Sequence, residues 1–327
     1  AVGEGEDTKY IFDAFLPESP DADTFVYSIP MKVTLKSGNN LIRIMNHRRQ
    51  ENTLISYTKV FESLRDAAPE KDLVLSLCEW VKTQPHEWGY KVGHSWRIPN
   101  DITFQVGSDG NPGNGSWNSD YTTGVTAQYD KAVIMDEFSD LDKGWNDPDM
   151  LMVGMNGLDE TMNRTHFTLW CMLNAPLMLG LDLRRVEKGD AIHKIISRKE
   201  LVALNQDPLG IQAKRVYTTA KCDAPDKDYI RDNERVDVLV KPLADGSLAV
   251  TFVNLGEKSY KDEINISAKD LIKAVKSKAV QAEIFENADT FEVIDLWTED
   301  KEKVTDGICV KDLAPHDQKT FRIYPAE

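Results

Sequence analysis

The chain has 327 residues, 41% hydrophobic and 28% charged, a composition typical of a globular protein with a substantial core. Its formal net charge of -15 argues against nucleic acid as a partner, because that binding relies on Lys and Arg side chains that displace counterions from phosphate. No stretch approaches the roughly 18 consecutive apolar residues of a membrane helix, so no membrane partner is predicted.

Four cysteines are too few for a disulfide scaffold in a chain of this length. Neither the cysteines nor the six histidines show the spacing of a zinc site, so we predict no metal and no other cofactor. Three sequons, at Asn114, Asn163 and Asn265, match the glycosylation acceptor pattern, but so short a pattern often arises by chance.

The first 54 residues have the pattern of β structure. Two β-prone runs, 29–36 and 41–45, flank Ser37-Gly38-Asn39-Asn40, whose residues are typical of a hairpin turn. Two strands bury too little surface to stand alone. We therefore predict that residues 1–54 form part of a small β-rich domain.

From Ser56 the apolar period becomes that of a helix, which Pro69 closes. Short apolar strands then alternate with helices, a pattern typical of βα units and a parallel sheet. The predicted strands cover 73–77, 93–102, 145–153 and 175–183, and the helices between and after them cover 125–138, 160–173 and 190–204. Four such units make half of an eight-unit barrel. We predict that residues 55–206 form the C-terminal half of a (β/α)8 barrel.

After Asp207-Pro208 the pattern becomes antiparallel. Runs 236–241 and 248–254 flank a turn, and two further β-prone runs cover 293–297 and 319–324. Residues 207–327 are therefore predicted to form an antiparallel β-sandwich.

Polar side chains stand at the ends of the predicted parallel strands, where barrel enzymes carry out their chemistry. They are Glu79, Arg97, Asp101, Asp147, Asp149 and Asp182, accompanied by Trp80, Trp96 and Trp145. Carboxylates can accept hydrogen bonds from sugar hydroxyls, and aromatic rings can cover the CH face of a sugar. Cleavage of a glycoside needs two carboxyl groups. These strand ends therefore indicate a sugar site.

Simpler interpretations stay open for several of these residues. Glu79 could form a salt bridge at a strand end, and Arg97 could pair with Asp101 across one turn. Asp147 could form an Asx turn before a strand. Asp182 is followed by Arg184 and is more readily explained as structural. On the helix that follows, His166, Cys171 and Met172 have the pattern of hydrogen-bonding or core residues.

Five motifs occur in a fixed order along the chain. They are LSLCEW (75–80), KVGHSWRIPNDI (91–102), GWNDPDMLMVG (144–154), THFTLWCMLNAPLMLGLDLR (165–184) and ALNQDPLG (203–210). Together they closely resemble glycoside hydrolase family 27, the α-galactosidases and α-N-acetylgalactosaminidases, over residues 56–327. The resemblance implies a (β/α)8 barrel followed by an antiparallel β domain, a retaining mechanism and no metal.

The resemblance also implies roles for individual residues. Asp101 matches the general acid/base, and Arg97 matches the arginine beside it at the sugar. Glu79 matches a glutamate at the 2-position of galactose, while Asp149 and Met150 match residues that line the sugar pocket. Trp80 and Trp96 are the candidates for the aromatic wall of that pocket. Cys78 matches a cysteine that forms a disulfide near the nucleophile.

The sequence departs from the family in one respect, since no motif like KYDYC, which carries the family's nucleophilic aspartate, is present. Segment 1–54 stands where it would be expected and resembles a carbohydrate-binding β-sandwich inserted in some members. We expect the nucleophile to lie in an upstream half-barrel segment, which would be this chain's protein partner. The implied function is hydrolysis of terminal α-D-galactosyl residues by a retaining exo-glycosidase, secreted or periplasmic.

Other functions compete with this one. The missing nucleophile would suit a catalytically inactive sugar-binding protein or accessory subunit. Among enzymes, the alternatives are an α-N-acetylgalactosaminidase, against which Glu79 argues, and a β-L-arabinopyranosidase.

Overall fold

The computed structural model describes residues 47–102, 113–118 and 124–326, which belong to one compact unit. The predicted hairpin at 29–45 lies outside the described residues. The first described element is helix α1, His47–Ala67. It begins before the predicted start at Ser56, so residues 47–54 are helical and the predicted β boundary at 54 is wrong. Arg, Gln and Glu, which favour helices, fill this first part of α1 and give it no apolar period.

Three short strands form a parallel sheet in chain order: β1 (Ser76–Leu77), β2 (Ser95–Arg97) and β3 (Trp145–Asp147). The predicted fourth strand is reduced to one parallel bridge between Leu151 and Leu179. Pro176 explains the difference, because it has no N–H to donate and its carbonyl accepts from Met178 N in a tight turn. The sheet and its helices form the second half of a (β/α)8 barrel.

Helices cover this sheet: α2 (Pro85–Trp88), α3 (Val125–Ala132), α4 (Glu160–Met172), α5 (Ala191–Ile196) and α6 (Lys199–Asn205). The single helix predicted at 190–204 is divided in two, because Arg198 is extended, with φ -64° and ψ 104°. Helix α4 begins at the N-cap Asp159, whose side chain accepts from Met162 N at 2.8 Å. Most of its residues from Asn163 onward are buried, including Cys171 and Met172, as predicted.

The C-terminal part is an antiparallel six-stranded sheet of order β4-β5-β6-β11-β8-β9, with a second sheet of β7 and β10. The strands are β4 (Lys214–Thr218), β5 (Val236–Pro242), β6 (Leu248–Asn254), β7 (Ile264–Ser267), β8 (Phe291–Asp295), β9 (Lys301–Val304), β10 (Gly307–Val310) and β11 (Gln318–Pro325). Two helices, α7 (Ala268–Val275) and α8 (Ala282–Asn287), accompany them and were not predicted. The antiparallel sandwich is confirmed, and the domain boundary at residue 207 stays a prediction.

Strands β5 and β6 are buried along their whole length, on both faces. Side chains of one face, such as Leu239 and Val253, join the core of the half-barrel. Those of the other face, such as Val238 and Phe252, form a second core with α7. This central sheet therefore packs directly on the half-barrel.

A buried ion cluster joins α3 to the antiparallel sheet. Arg235 pairs with Asp130 of α3 and, at 3.1 Å, with Asp237 of β5. Arg215 also pairs with Asp237, at 3.3 Å, and the Tyr129 hydroxyl donates to that carboxylate at 3.0 Å. Burial raises the pKa of Asp130 to about 7, although Arg235 favours its ionised form.

Asp130 should make stability depend on pH. Its folded-state pKa of about 7 exceeds the value of about 3.9 for an unfolded chain, so between these values the folded state binds more protons. The free energy of unfolding should therefore fall as pH rises through this window, by up to about 1.4 kcal/mol per pH unit. In Asp130→Asn that part of the slope should disappear. Urea unfolding from pH 4 to pH 8 measures it, and an unchanged slope in the variant would contradict the assignment.

No helix within the described ranges is long and apolar enough to cross a membrane. In the same ranges, no group of three or more His, Cys, Asp or Glu side chains could hold a metal ion.

Candidate active site

The carboxyl ends of β1, β2 and β3 lie at one edge of the sheet, because the strands are parallel and neighbours. This arrangement joins three parts of the predicted site. Trp80 follows β1, Arg97 ends β2 with Asp101 four residues later, and Asp149 follows β3. Hydrogen bonds and ion pairs connect all four side chains.

Arg97 lies at the centre of the site and contacts three carboxylates. Its Nη1 lies 2.6 Å from Asp149 Oδ2 and 3.1 Å from Asp101 Oδ1, and its Nε lies 3.2 Å from Asp147 Oδ2. Burial opposes the charge of Arg97, but Asp147 and Asp149 outweigh it and raise the pKa of the guanidinium. One cation thus holds three acidic side chains in a fixed arrangement.

Asp101 is the most accessible of these carboxylates, with 59% of its side chain exposed, against 9% for Asp149. Its Oδ1 accepts from Trp80 Nε1 at 2.8 Å and from Arg97 Nη1 at 3.1 Å. The pairing of Arg97 and Asp101 across one turn does occur, and it orients the carboxylate that faces outward. Trp80, which has φ 54°, is 48% exposed beside it. The two side chains offer an acid group next to an aromatic surface.

Asp149 is held mainly by the protein itself. Its Oδ2 accepts from Ile102 N and its Oδ1 from Met150 N, both at 2.7 Å. Its own N–H donates to Asp147 Oδ1 at 2.8 Å, which is the Asx turn that the sequence permitted. Burial raises the pKa of Asp149, and these N–H groups and Arg97 partly offset the rise. Asp149 therefore braces the site, and its contact with a sugar stays a prediction.

Glu79 and Met150 occupy the same edge with different surroundings. Both carboxylate oxygens of Glu79 accept from Thr83 N, and Oε2 also accepts from Thr83 Oγ1, at 2.8–3.0 Å. These bonds fix the turn after β1. Met150 is half-buried, with its Sδ packed against Gly180. Contacts of Glu79 and Met150 with a sugar stay predictions.

Trp96 does not form an aromatic wall, so that prediction is wrong. It is fully buried, and its Nε1 donates to Asn146 Oδ1 at 2.9 Å. A Cβ at Gly144, which has φ 127°, would lie 3.1 Å from the Trp96 ring. Neighbouring side chains point to opposite faces of a strand. Because Arg97 points to the site, Trp96 points to the core.

Two other predicted features are Asp182 and Cys78. Asp182 is bonded to Arg184, with 2.6 Å between Asp182 Oδ2 and Arg184 Nη2, which supports the structural interpretation. All four cysteines are free thiols, and Cys78 is exposed. The disulfide implied for Cys78 has no partner within the described ranges. Burial keeps the pKa of the Cys78 thiol above its ordinary value.

Several residues that support the site gave no functional signal in the sequence. Asn163, His166 and Trp170 of α4 bond the backbone of residues 149–154. Asn163 is only 3% exposed, so its sequon is not available for glycosylation. Helical spacing places these three residues on one face, but it does not distinguish them from core residues.

A half-barrel with carboxylates at its edge and an antiparallel domain packed on it has the parts of a barrel-type glycoside hydrolase. The family model described as alpha galactosidase A matches residues 115–207. The model of the alpha galactosidase C-terminal beta sandwich domain matches residues 233–323. The chain belongs to the α-galactosidase family, glycoside hydrolase family 27, and corresponds to its C-terminal portion.

Individual relatives agree with this assignment. Alpha-galactosidase A of Cellvibrio japonicus is 29% identical over 278 residues, which cover 83% of this chain and 61% of the relative. An alpha-galactosidase of Oryza sativa subsp. japonica is 30% identical over 269 residues, covering 82% of this chain and 52% of the relative. The chain thus spans between half and two thirds of the length of these relatives. The crystal structure of alpha-galactosidase I from Mortierella vinacea shares the fold, with TM-score 0.64, 23% identity, and coverage of 85% of this chain and 64% of the other.

Proposed function

We propose that this chain forms the acid/base half of a retaining exo-α-galactosidase, which removes terminal α-D-galactosyl residues. The observation that carries the proposal is Asp101, an exposed carboxylate held by Trp80 and Arg97 at the carboxyl edge of the half-barrel. The family assignment and the names of the relatives support galactose as the sugar.

In the proposed reaction, Asp101 protonates the glycosidic oxygen while an aspartate nucleophile attacks the anomeric carbon, and the bond to the leaving alcohol breaks. Asp101 then removes a proton from water, which attacks the anomeric carbon and releases the nucleophile. The separation of the two carboxyl groups should be about 5–5.5 Å, the retaining geometry. Trp80, Glu79, Asp149 and Met150 are the proposed sugar contacts.

We assign the nucleophile to an upstream half-barrel segment outside this chain. No KYDYC-like motif occurs in the sequence, and the chain spans 52% and 61% of its relatives' length. That segment would pair with the half-barrel and complete the site. A secreted or periplasmic location fits a galactoside substrate and the exposed Cys78, which a disulfide partner could reach.

Product stereochemistry tests the proposal. We expect this chain alone to be inactive, and the polypeptide that joins it to an upstream half-barrel to hydrolyse an aryl α-D-galactoside. Proton NMR of the early product should show the α anomer of galactose, because two displacements restore the configuration. Early β-galactose would overturn the retaining mechanism. Galactose binding without turnover by the joined polypeptide would favour a catalytically inactive sugar-binding protein, to which the absent nucleophile motif also points.

A further inference from the structure

We propose that α4 positions the active site through three side chains, Asn163, His166 and Trp170, which bond the backbone of the segment 149–154. Asn163 Oδ1 accepts from Gly154 N and His166 Nε2 accepts from Met152 N, both at 3.0 Å. Trp170 Nε1 donates to the Asp149 carbonyl at 2.7 Å. Residues three and seven positions apart lie on one helix face, so this face follows the segment from end to end. The catalytic consequence of the proposal rests on the proposed function.

The segment needs this support because it is not a regular strand. Asp149 has φ 85° and Gly154 has φ 89°, a backbone conformation that residues other than glycine rarely adopt. Leu151 alone is paired along a neighbouring segment, through Met178 O and Gly180 N. The α4 side chains bond the Asp149 carbonyl and the N–H groups of Met152 and Gly154. A buried backbone group without a partner would be costly.

His166 and Trp170 are adapted to this task by burial and by mutual contact. Both are fully buried, and their rings meet edge to face with centroids 4.1 Å apart. Since His166 Nε2 accepts a hydrogen bond, the imidazole proton lies on Nδ1. Burial lowers the pKa of His166 to about 3, so the acceptor persists at neutral pH.

The contacts extend from α4 to the acid/base. Trp170 fixes the carbonyl of Asp149, and the carboxylate of Asp149 bonds Ile102 N and Arg97 Nη1. Arg97 and the residue before Ile102, Asp101, are in direct contact. Trp170 therefore helps to fix the position of Asp101, through Asp149 and its contacts with Arg97 and Ile102. It is a positioning residue and touches no reacting atom.

Amide hydrogen exchange in the full chain tests the proposal without requiring activity. Trp170→Phe keeps the aromatic packing and removes the indole N–H. We expect the amides of Ile102 and Met150, which both donate to the Asp149 carboxylate, to exchange about tenfold faster, the effect of losing about 1.4 kcal/mol. Trp117→Phe is the matched control, since its buried Nε1 also donates to a backbone carbonyl, that of Leu255, at 3.0 Å. Equal exchange in both variants would overturn the proposal.

A pair of substitutions at His166 provides a rescue experiment. In His166→Gln the side-chain oxygen can accept from Met152 N, whereas in His166→Leu it cannot. Protection of the Met152 and Ile102 amides should survive in the first variant and be lost in the second. Equal protection in the two would contradict the positioning role, and if His166→Leu fails to fold, the Trp170 comparison still decides.

Activity then separates this inference from the proposed function. In a polypeptide that hydrolyses galactosides, Trp170→Phe should lower kcat about tenfold and Trp117→Phe should not, because small displacements of reacting groups are costly. If the unsubstituted joined polypeptide is inactive but exchange is faster in Trp170→Phe, the α4 inference stands and the proposed enzymatic function is wrong. If that polypeptide is active but exchange is unchanged in Trp170→Phe, the proposed function stands and the α4 inference is wrong.

Discussion

Asp101→Asn is expected to abolish turnover of galactosides with poor leaving groups and to spare the first step with activated aryl leaving groups. An amide cannot donate the proton that a sugar or alkyl alcohol needs on departure, and loss of general acid catalysis costs about 10²–10⁴-fold. An aryl oxide departs without that proton. Values of kcat/KM on both substrate classes, measured on the active polypeptide, give the comparison, because kcat/KM reports the first step and not the later attack of water. Equal losses on both would argue against an acid role for Asp101.

The base role of Asp101 can be tested with the same variant. Azide needs no deprotonation, so it should restore turnover of the aryl galactoside and yield a galactosyl azide, whereas water attacks slowly without a base. Asp182→Asn is the matched control, because Asp182 is another acidic residue at a predicted strand end but is bonded to Arg184. This control should keep its full rate on both substrates. Absence of azide rescue in Asp101→Asn would exclude the base role.

Arg97→Met is expected to destabilise the chain by roughly 3–5 kcal/mol, the cost of removing one partner of a buried ion pair. Arg97 is 16% exposed, and it pairs with Asp147 and Asp149, whose side chains are 10% and 9% exposed. Without the guanidinium two carboxylates are left close together in a poorly solvated site. Urea unfolding of the full chain measures the loss. Unchanged stability would show that the ion pairs are not formed in solution.

The pH dependence of Arg97→Met identifies the cause of its instability. Burial already raises the pKa of Asp149, and Arg97 is one of the groups that lower it. Without Arg97 the folded-state pKa rises further, so the folded state binds more protons than the unfolded chain, and stability falls as pH rises. The destabilisation should therefore shrink in acid. Adding Asp149→Asn should also recover part of the stability at neutral pH, while Arg184→Met at the exposed pair should change nothing measurable.

Much of the fold could be predicted from local pattern. The alternating runs after residue 73 predicted a parallel half-barrel, and the β5 and β6 runs were placed almost to the residue. Predictions failed where the conformation of single backbone residues, and not the pattern of apolar side chains, decides the secondary structure. The run at 175–183 contains Pro176, and the helix predicted at 190–204 is interrupted at Arg198. Helix α7 was not predicted, because the strand patterns around it in the antiparallel part are stronger than its own helical pattern.

By itself the sequence determined the family, the order of the domains and the positions of the site's acidic residues, because motifs and apolar periods are properties of neighbouring residues. Only the tertiary structure decided which tryptophan is accessible, since Trp80 is half exposed and Trp96 fully buried. It also decided that one guanidinium joins Asp101, Asp147 and Asp149. The bonds from α4 to the segment after β3 likewise became visible only in three dimensions. Such contacts join residues distant in the chain, and their direction depends on burial and backbone geometry, which no local pattern encodes.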